Sequence, residues 1–283
     1  MTRFGLHTRT LLFALVAMVV GVIASDHSSA EVSIEILNCG GKCTPPRLFV
    51  QGEISGQTID EFKARIADSR IVEAQKLNPV SVRLSSPGGS VLSAMELGDL
   101  IRDGGYSTAV FGPDECESAC VLVLVAGVTR VASYGRIGIH RPHFPEELFA
   151  ALSRQEARQK YESMSASVKS YLSRMGMPDT LYRAMLAVAS DDIRFLSPQQ
   201  IKDYGLEGED PAWAEWRRAR LIDEWGADQY QLVRIEGRLL AACTNRLGSI
   251  DKCSGPVRAK LKALMKACEG SSDVAACVEK AAR

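Results

Sequence analysis

A Pro-Gly-Gly turn between an apolar run and a helical pattern constrains this chain more than any other feature. The run Val80 to Leu84 has the length and branched side chains of a buried strand, and Val91 to Arg102 repeats apolar residues at helical spacing. The segment between them, 85–90, reads S-S-P-G-G-S. Glycines can turn the backbone sharply and leave N–H groups bare beside a helix N-terminus, which suits negative charge. The sequence therefore predicts a strand–turn–helix unit that can hold an oxyanion. A tight turn with no chemistry is the alternative.

Strand and helix patterns alternate along most of the chain. Strands are predicted at 31–36, 47–52, 80–84, 108–111, 129–132 and 136–140. Helices are predicted at 58–71, 91–102, 145–174, 179–188 and 198–205. The dense apolar run 119–126 fits either a strand or a buried helix, because its valines favour a strand and its length does not decide. Alternating units of this kind predict an α/β core with parallel strands.

The N-terminal segment has the features of a secretory signal peptide. Arg3 and Arg9 precede an apolar run from Leu11 to Ala24, and small residues (S-S-A) end the segment at Ala30. We expect residues 1–30 to be removed and the mature chain to be periplasmic or secreted. An uncleaved anchor, which would keep the protein near a membrane, is the alternative. Its apolar run of about 14 residues is short, since a bilayer needs about 20.

Charge and cysteine content narrow the class of protein. The 283 residues include 34 acidic and 34 basic side chains, and this balance gives no indication of nucleic-acid binding. All the cysteines follow residue 30: Cys39, Cys43, Cys116, Cys120, Cys243, Cys253, Cys268 and Cys277. An even number in an oxidising compartment predicts disulfides. The last four allow three pairings. A zinc site from the first four is the alternative, although metal thiolates compete poorly with oxidation outside the cytosol.

A change of composition near residue 208 separates two units. We predict an α/β domain over residues 31–208 and a helical, disulfide-braced module over residues 209–283. Both a structural cap and a partner-binding surface are open interpretations of this module. Its three tryptophans, Trp213, Trp216 and Trp225, recur at near-helical spacing, which favours core contacts over a ligand site.

The segment Cys-Glu-Ser-Ala-Cys carries the candidate nucleophile, Ser118. A serine between a strand and the first turn of a helix exposes its hydroxyl, and the N–H of Ala119 points to the same side. The amides of Gly88 and Gly89 could supply a second oxyanion donor. A serine at this position is also a common helix N-cap, which is the structural alternative.

His140, at the end of a predicted strand, is the candidate general base. His7 and His27 lie in the predicted signal peptide and would be removed with it. His143 is therefore the one other candidate for the general base. A surface or hydrogen-bonded structural histidine is the alternative reading of this residue.

Taken in order, these motifs resemble the Clp protease proteolytic subunit and its relatives in the crotonase-like superfamily. They are S-P-G-G-S at 86–90, S-A at 118–119, A-G-x-x-R at 126–130, I-H-R-P at 139–142 and F-L-S-P at 195–198. The resemblance covers about residues 47–206. It implies repeated ββα units, a Ser-His-Asp hydrolase site with no cofactor or metal, and homo-oligomeric assembly into rings or trimers.

The sequence departs from this family at two places. The family's glycine two residues before the nucleophile is Cys116 here, and Cys120 follows two residues after, so a bridge between them could tighten or close the site. The family's acidic position holds Ile193. Asp192 or Asp191 would need a small shift to orient the histidine, and without one the triad is a dyad with slower chemistry.

The sequence therefore predicts an exported serine hydrolase, a Clp-like peptidase. The cytoplasmic members of the family depend on an ATP-driven unfoldase, which an exported protein could not use. Accessible peptides, unfolded segments or membrane-linked proteins are therefore the expected substrates. Two alternatives stay open: a catalytically inactive binding protein on the same fold, and a hydrolase of thioesters or other acyl groups. A lysine base, as in signal-peptide peptidases of this fold, has no evident candidate.

Overall fold

The computed structural model describes residues 31–35, 46–77, 79–132 and 134–283. Within these ranges the protein is mixed α/β, with two sheets and a C-terminal set of helices, which confirms the predicted class. The predicted signal segment and the Cys39 and Cys43 pair lie outside the described residues.

The strands are β1 (Glu31–Glu35), β2 (Arg47–Gln51), β3 (Ser81–Ser85), β4 (Ser107–Ala109), β5 (Glu115–Glu117), β6 (Thr129–Val131), β7 (Arg136–Ile139), β8 (Arg194–Phe195) and β9 (Gly208–Glu209). The helices are α1 (Gly56–Ile66), α2 (Ser69–Leu77), α3 (Val91–Asp103), α4 (Cys120–Leu124), α5 (Arg154–Arg174), α6 (Asp179–Leu186), α7 (Pro198–Asp203), α8 (Pro211–Trp225), α9 (Ala227–Leu247), α10 (Ile250–Ala267) and α11 (Val274–Ala282). A 3₁₀ turn spans Glu146–Leu148.

The larger sheet has the strand order β1-β2-β3-β4-β6-β9. Strands β2, β3, β4 and β6 are parallel, as predicted, and β1 and β9 are antiparallel edges. The smaller sheet has the order β5-β7-β8, with β5 parallel to β7 and β8 antiparallel to it. Single parallel bridges pair Ile54 with Gly89 and Ser86 with Cys116. The chain thus repeats one unit: a strand of the larger sheet, a short segment in the second layer, then a helix.

The unit around the Pro-Gly-Gly turn forms as the sequence predicts. In β3, Val82 and Leu84 are fully buried while their neighbours are not, which is the alternation of a strand with one packed face. Ser90 caps α3, since its side chain accepts a hydrogen bond from the N–H of Ser93. The buried residues Leu97 and Ile101 then hold α3 against the core.

Three helical predictions need correction or choice. The predicted helix 58–71 is two helices, because Asp68 accepts a hydrogen bond from the N–H of Arg70 and starts a new helix there. The predicted helix 145–174 starts only at Arg154, where Ser153 and Glu156 form a capping box. The run 119–126 holds a short helix, α4, whose residues are all buried.

The C-terminal helices have a small core of their own, formed by Leu232, Ile235, Leu261, Cys268 and Val278. One disulfide, Cys243–Cys253, joins α9 to α10, and a second, Cys268–Cys277, joins the end of α10 to α11. Of the three pairings left open by the sequence, the structure has this one. Together with a third bridge described below, these disulfides indicate an oxidising environment.

Helix α8 joins the C-terminal helices to the α/β core. Arg102 on α3 forms an ion pair of 3.1 Å with Asp210, which also caps α8. The expectation of core contacts is wrong for two of the tryptophans on this helix, since Trp216 is 48% exposed and Trp225 is 43% exposed. Among the described helices, none combines the length and apolar character needed to cross a membrane.

Candidate functional site

Ser118 lies at the junction of β5 and α4 in a left-handed conformation. Its φ of 55° is the only positive φ of a non-glycine residue in the described ranges. Such a conformation costs an L-residue about 1 kcal/mol or more. Two backbone hydrogen bonds hold it: the Ser118 N–H donates to Gly138 O at 3.0 Å, and the Ser118 carbonyl accepts from the N–H of Val121 at 3.1 Å.

The Ser118 hydroxyl has no structural role in this part of the protein. It makes no hydrogen bond to any described residue, and the N-cap of α4 is Ala119, without a side-chain bond. The alternative of a helix-capping serine therefore does not describe Ser118. A half-buried serine on a strained strand–helix turn is the arrangement of nucleophiles in hydrolases.

A disulfide between Cys116 and Cys120 brackets this serine. It joins β5 to the first residue of α4 over a Cα–Cα distance of 5.3 Å, and both cysteines are fully buried. Ser118 itself stays half-buried, so the bridge tightens the turn without covering the serine. Because the sulfurs of Cys116 and Cys120 are bonded to each other, this pair does not form the alternative zinc site.

The Pro-Gly-Gly turn lies directly against the serine. At Gly88, which has a φ of 107°, an added Cβ would stand 2.7 Å from Ser118 Cβ and 3.0 Å from the Ala119 nitrogen. Real Cβ atoms do not approach other atoms so closely, and an L-residue is strained at this φ. Only glycine lets the turn and the serine meet here.

The predicted oxyanion donors differ in their availability. The Gly88 N–H donates to the Ser86 hydroxyl at 3.1 Å, and the Gly88 carbonyl accepts from the Ile54 N–H at 2.7 Å. The N–H groups of Gly89 and Ala119 make no hydrogen bond within the described ranges. Of the three predicted donors, Gly89 and Ala119 therefore have N–H groups without a hydrogen-bond partner among the described residues, while the Gly88 N–H is taken by the Ser86 hydroxyl.

His140 follows β7, the strand that pairs with the one leading to the serine. Glu117 is opposite Gly138 in the parallel pair of β5 and β7, so Ser118 and His140 lie one register step apart across neighbouring strands. Neighbouring strands are about 4.8 Å apart. The structure thus brings the two predicted residues to the same end of the smaller sheet.

The imidazole of His140 is held in one tautomer. Its Nδ1 is 2.8 Å from the carbonyl oxygen of Arg141. Because a carbonyl oxygen only accepts hydrogen bonds, Nδ1 carries the proton and Nε2 of the neutral ring is left as the proton acceptor. Burial lowers the pKa of His140 below its usual value, against the effect of the Arg141 carbonyl, and the nearby His143 lowers it further. His140 is therefore neutral at pH 7, as a general base must be.

The carbonyl of Arg141 is itself fixed by the end of α6. The Arg141 N–H donates to Val188 O at 3.1 Å and its Nε donates to the same oxygen at 3.2 Å. Its Nη2 donates to Leu186 O at 3.3 Å. The residue that orients the imidazole through its backbone is thus anchored by its backbone and by its side chain.

The predicted third residue of the triad has another partner. The Asp192 carboxylate accepts a hydrogen bond from the N–H of Ile193 at 2.8 Å, and Asp191 is exposed. Neither aspartate is a hydrogen-bond partner of His140 in the described part of the chain. The antiparallel register of β7 and β8, continued by one residue, puts Ile193 opposite His140. The register therefore places an uncharged residue, just before β8, opposite His140.

A carboxyl pair beside the serine was missed from the sequence. Glu115 and Glu117 point to the same face of β5, and burial together with a hydrogen bond to Glu115 raises the pKa of the Glu117 carboxyl. Arg136 pairs with Glu115 and lies 3.8 Å from the ring centroid of Phe195. The signal was the alternation Glu-Cys-Glu, which puts two acids on one face if the segment is a strand.

No protein family matches this sequence, and no curated protein is significantly similar to it. The chemistry of the site therefore rests on its geometry. A half-buried serine with an unbonded hydroxyl, two unoccupied N–H groups and a neutral histidine with a free Nε2 are the parts that acyl transfer requires.

Proposed function

We propose that this protein is an exported serine hydrolase, a peptidase similar to the Clp proteolytic subunit, with Ser118 as nucleophile and His140 as general base. The observation that carries the proposal is the strained Ser118, whose free hydroxyl and neighbouring N–H lie against the Pro-Gly-Gly turn. Strain of this kind persists only where the surroundings hold it, and it is typical of functional residues.

The chain topology supports the family resemblance. Each unit places a strand in the larger sheet, a short parallel segment in the second layer and then a helix, as repeated ββα units do. The three disulfides support export, and with it a periplasmic or secreted location after removal of residues 1–30.

In the proposed reaction, the Ser118 hydroxyl attacks the substrate carbonyl while His140 Nε2 takes its proton. The N–H groups of Gly89 and Ala119 stabilise the oxyanion of the tetrahedral intermediate. His140 then gives the proton to the leaving group as its bond to the acyl carbon breaks. In the second half, His140 takes a proton from the water that attacks the acyl carbon and returns it to Ser118 as the ester bond breaks.

We further propose that this site works as a dyad, with the Arg141 carbonyl in the orienting role of the family's aspartate. A carbonyl fixes the tautomer of His140 as an aspartate would, but it carries no charge to stabilise the imidazolium. Such a site is slower than a full triad. Peptides and unfolded segments, which need no ATPase, are substrates suited to it.

Labelling with a fluorophosphonate probe tests the proposal. The mature, oxidised protein should react, Ser118→Ala should not, and His140→Ala should react at least about a hundredfold more slowly. Ser170→Ala, an exposed serine on α5, is the matched control and should react like the unchanged protein.

Two further outcomes separate the alternatives. Absence of labelling in the folded, oxidised protein would overturn the hydrolase and leave a binding protein on this fold. If the labelled protein cleaves thioesters or other acyl substrates but no peptide, the enzyme is an acyl hydrolase and the peptidase assignment is wrong.

A further inference from the structure

A groove on the C-terminal side of the molecule contains all three tryptophans of the sequence. It lies between α8, α9 and the end of α2, with a volume of about 1160 Å³. Trp213, Trp216 and Trp225 line it together with Tyr230. It shares no lining residue with the serine site, so whatever it binds is a separate property of the chain.

The tryptophan rings of the groove differ in exposure: Trp213 is half-buried and Trp216 is exposed. Trp213 is half-buried and packs on the turn at Gly105, where an added Cβ would be 2.9 Å from the indole ring. Trp216 stacks on Trp213 with ring centroids 4.6 Å apart and is about half exposed. Large apolar rings left open in a concave surface are typical of binding sites.

Two arginines of the groove are free to bind an anion. Arg220 lies over the ring of Trp216 at 5.5 Å, and Arg234 over the ring of Tyr230 at 5.9 Å. Both are exposed, and neither has an ion pair with any described residue. A guanidinium whose only charge interaction is with a ring face keeps its N–H donors available, which suits a carboxylate.

The other two arginines of the groove are paired with carboxylates that also line it, Lys76 pairs with Glu73 at 2.7 Å, and Glu224 forms no ion pair with a described residue. Arg217 pairs with Glu209 at 2.8 Å, and Arg218 pairs with Glu215 at 3.6 Å. The unpaired positive charge therefore belongs to the two arginines that lie on aromatic rings. An occupant should bring carboxylates to these two arginines and an apolar or aromatic group to the tryptophans of the groove.

We propose that this groove binds an acidic peptide segment with apolar or aromatic side chains. Helix α8 has 15 residues and is about 22 Å long, which matches an extended peptide of about six or seven residues. In such a peptide, alternate side chains face one side, so apolar residues can meet the indoles while acidic neighbours reach the guanidinium groups. A flat anionic membrane cannot enter a concave groove to reach the half-buried Trp213.

Intrinsic fluorescence tests this proposal without a label, because every tryptophan of the chain lies in the groove. The full, oxidised protein is titrated with a blocked heptapeptide that alternates acidic residues with leucine and phenylalanine, with excitation at a wavelength absorbed by tryptophan alone. A saturable change in emission is expected. The same peptide with lysine in place of each acid should give none at equal concentration.

Variants separate the groove from general charge effects. Arg220→Glu with Arg234→Glu should weaken binding of the acidic peptide at least about tenfold. Lys252→Glu with Lys262→Glu, at exposed positions on α10 outside the groove, makes the same change of net charge and should leave binding within about twofold. Both pairs are surface changes, and near-ultraviolet circular dichroism checks that the folds agree.

Three outcomes would overturn the proposal. The first is equal binding of the acidic and basic peptides, and the second is unchanged binding in the arginine double variant. The third is a stronger emission shift with phosphatidylglycerol vesicles than with the peptide, which would make the groove a membrane-binding surface.

Discussion

Replacing Ile193 with aspartate should restore a charged partner to His140, because Ile193 is the residue opposite it in the continued register of β7 and β8. Directly opposed residues of an antiparallel pair have Cβ atoms about 5 Å apart. At that distance a carboxylate and an imidazolium attract by roughly 3 kcal/mol with an effective dielectric constant of about 20. Residue 193 is half-buried, so solvent screens part of the attraction between the carboxylate and the imidazolium.

The expected result is a rise of about 1–2 units in the pKa of His140 in the Ile193→Asp variant. In the unchanged protein burial holds this pKa below the usual value, so the added carboxylate should counteract the effect of burial. Loss of the isoleucine side chain should cost about 1 kcal/mol of folding free energy, since it is only half-buried. A charged partner also stabilises the imidazolium formed in the reaction, so labelling by the fluorophosphonate at high pH should become faster.

Imidazole ¹⁵N–¹H NMR of histidine-labelled protein measures this pKa directly, with His143→Gln to assign the signals. Ile193→Asn is the matched control: it has nearly the same shape as aspartate and no charge, and it should leave the pKa of His140 within about half a unit. The same spectra report the tautomer. A wild-type ring protonated at Nε2 would refute the orienting role of the Arg141 carbonyl. A pKa that Ile193→Asp leaves unchanged would refute the placement of residue 193 opposite His140.

Two other predictions concern the serine turn, and a third concerns the pH dependence of labelling. Gly88→Ala should lower the free energy of unfolding, measured by chemical denaturation, by at least about 2 kcal/mol and should abolish most of the probe labelling, because the added methyl group would overlap Ser118. Gly56→Ala is the control: its methyl group meets nothing within 4 Å, so this variant should match the unchanged protein. Replacing both Cys116 and Cys120 with alanine should lower the free energy of unfolding by about 2 kcal/mol, the value expected for so short a disulfide loop, and should slow probe labelling. Equal labelling rates in this variant and the unchanged protein would show that the disulfide does not hold the turn. In the unchanged protein the labelling rate should fall only as the pH drops below about 6.5, because burial lowers the pKa of His140 and keeps its ring neutral above that pH. A labelling rate that already falls at pH 8 would contradict this prediction.

The sequence predicted the local units of the fold better than their connections. The strand at 80–84 and the helix at 91–102 have clear apolar periodicity and a glycine turn between them, so both were found. The run 119–126 could not be assigned, because a segment buried on every side has no polar face to show its period. Strand β5 has only three residues and is held by neighbours distant in the chain, so no local pattern reveals it.

The candidate site was predictable where side chains carry the chemistry and not where the backbone does. Ser118 and His140 are visible as residue types in short motifs, and the structure brings them to adjacent strands. The carbonyl of Arg141 has no sequence signature, since every residue has one. The sequence likewise does not show that the Ser86 hydroxyl accepts a hydrogen bond from the Gly88 N–H and so leaves the Gly89 N–H unbonded.

Several independent contacts fix the conformation of Ser118, and this redundancy is the strongest physical argument for function. A left-handed serine costs free energy that a glycine or asparagine would largely avoid. Here a backbone bond to Gly138, a return bond from Val121 and the Cys116–Cys120 bridge all oppose its relaxation. A turn that needed only to connect β5 with α4 would gain nothing from these constraints. They make sense if the position of the hydroxyl itself is what the local structure has to maintain.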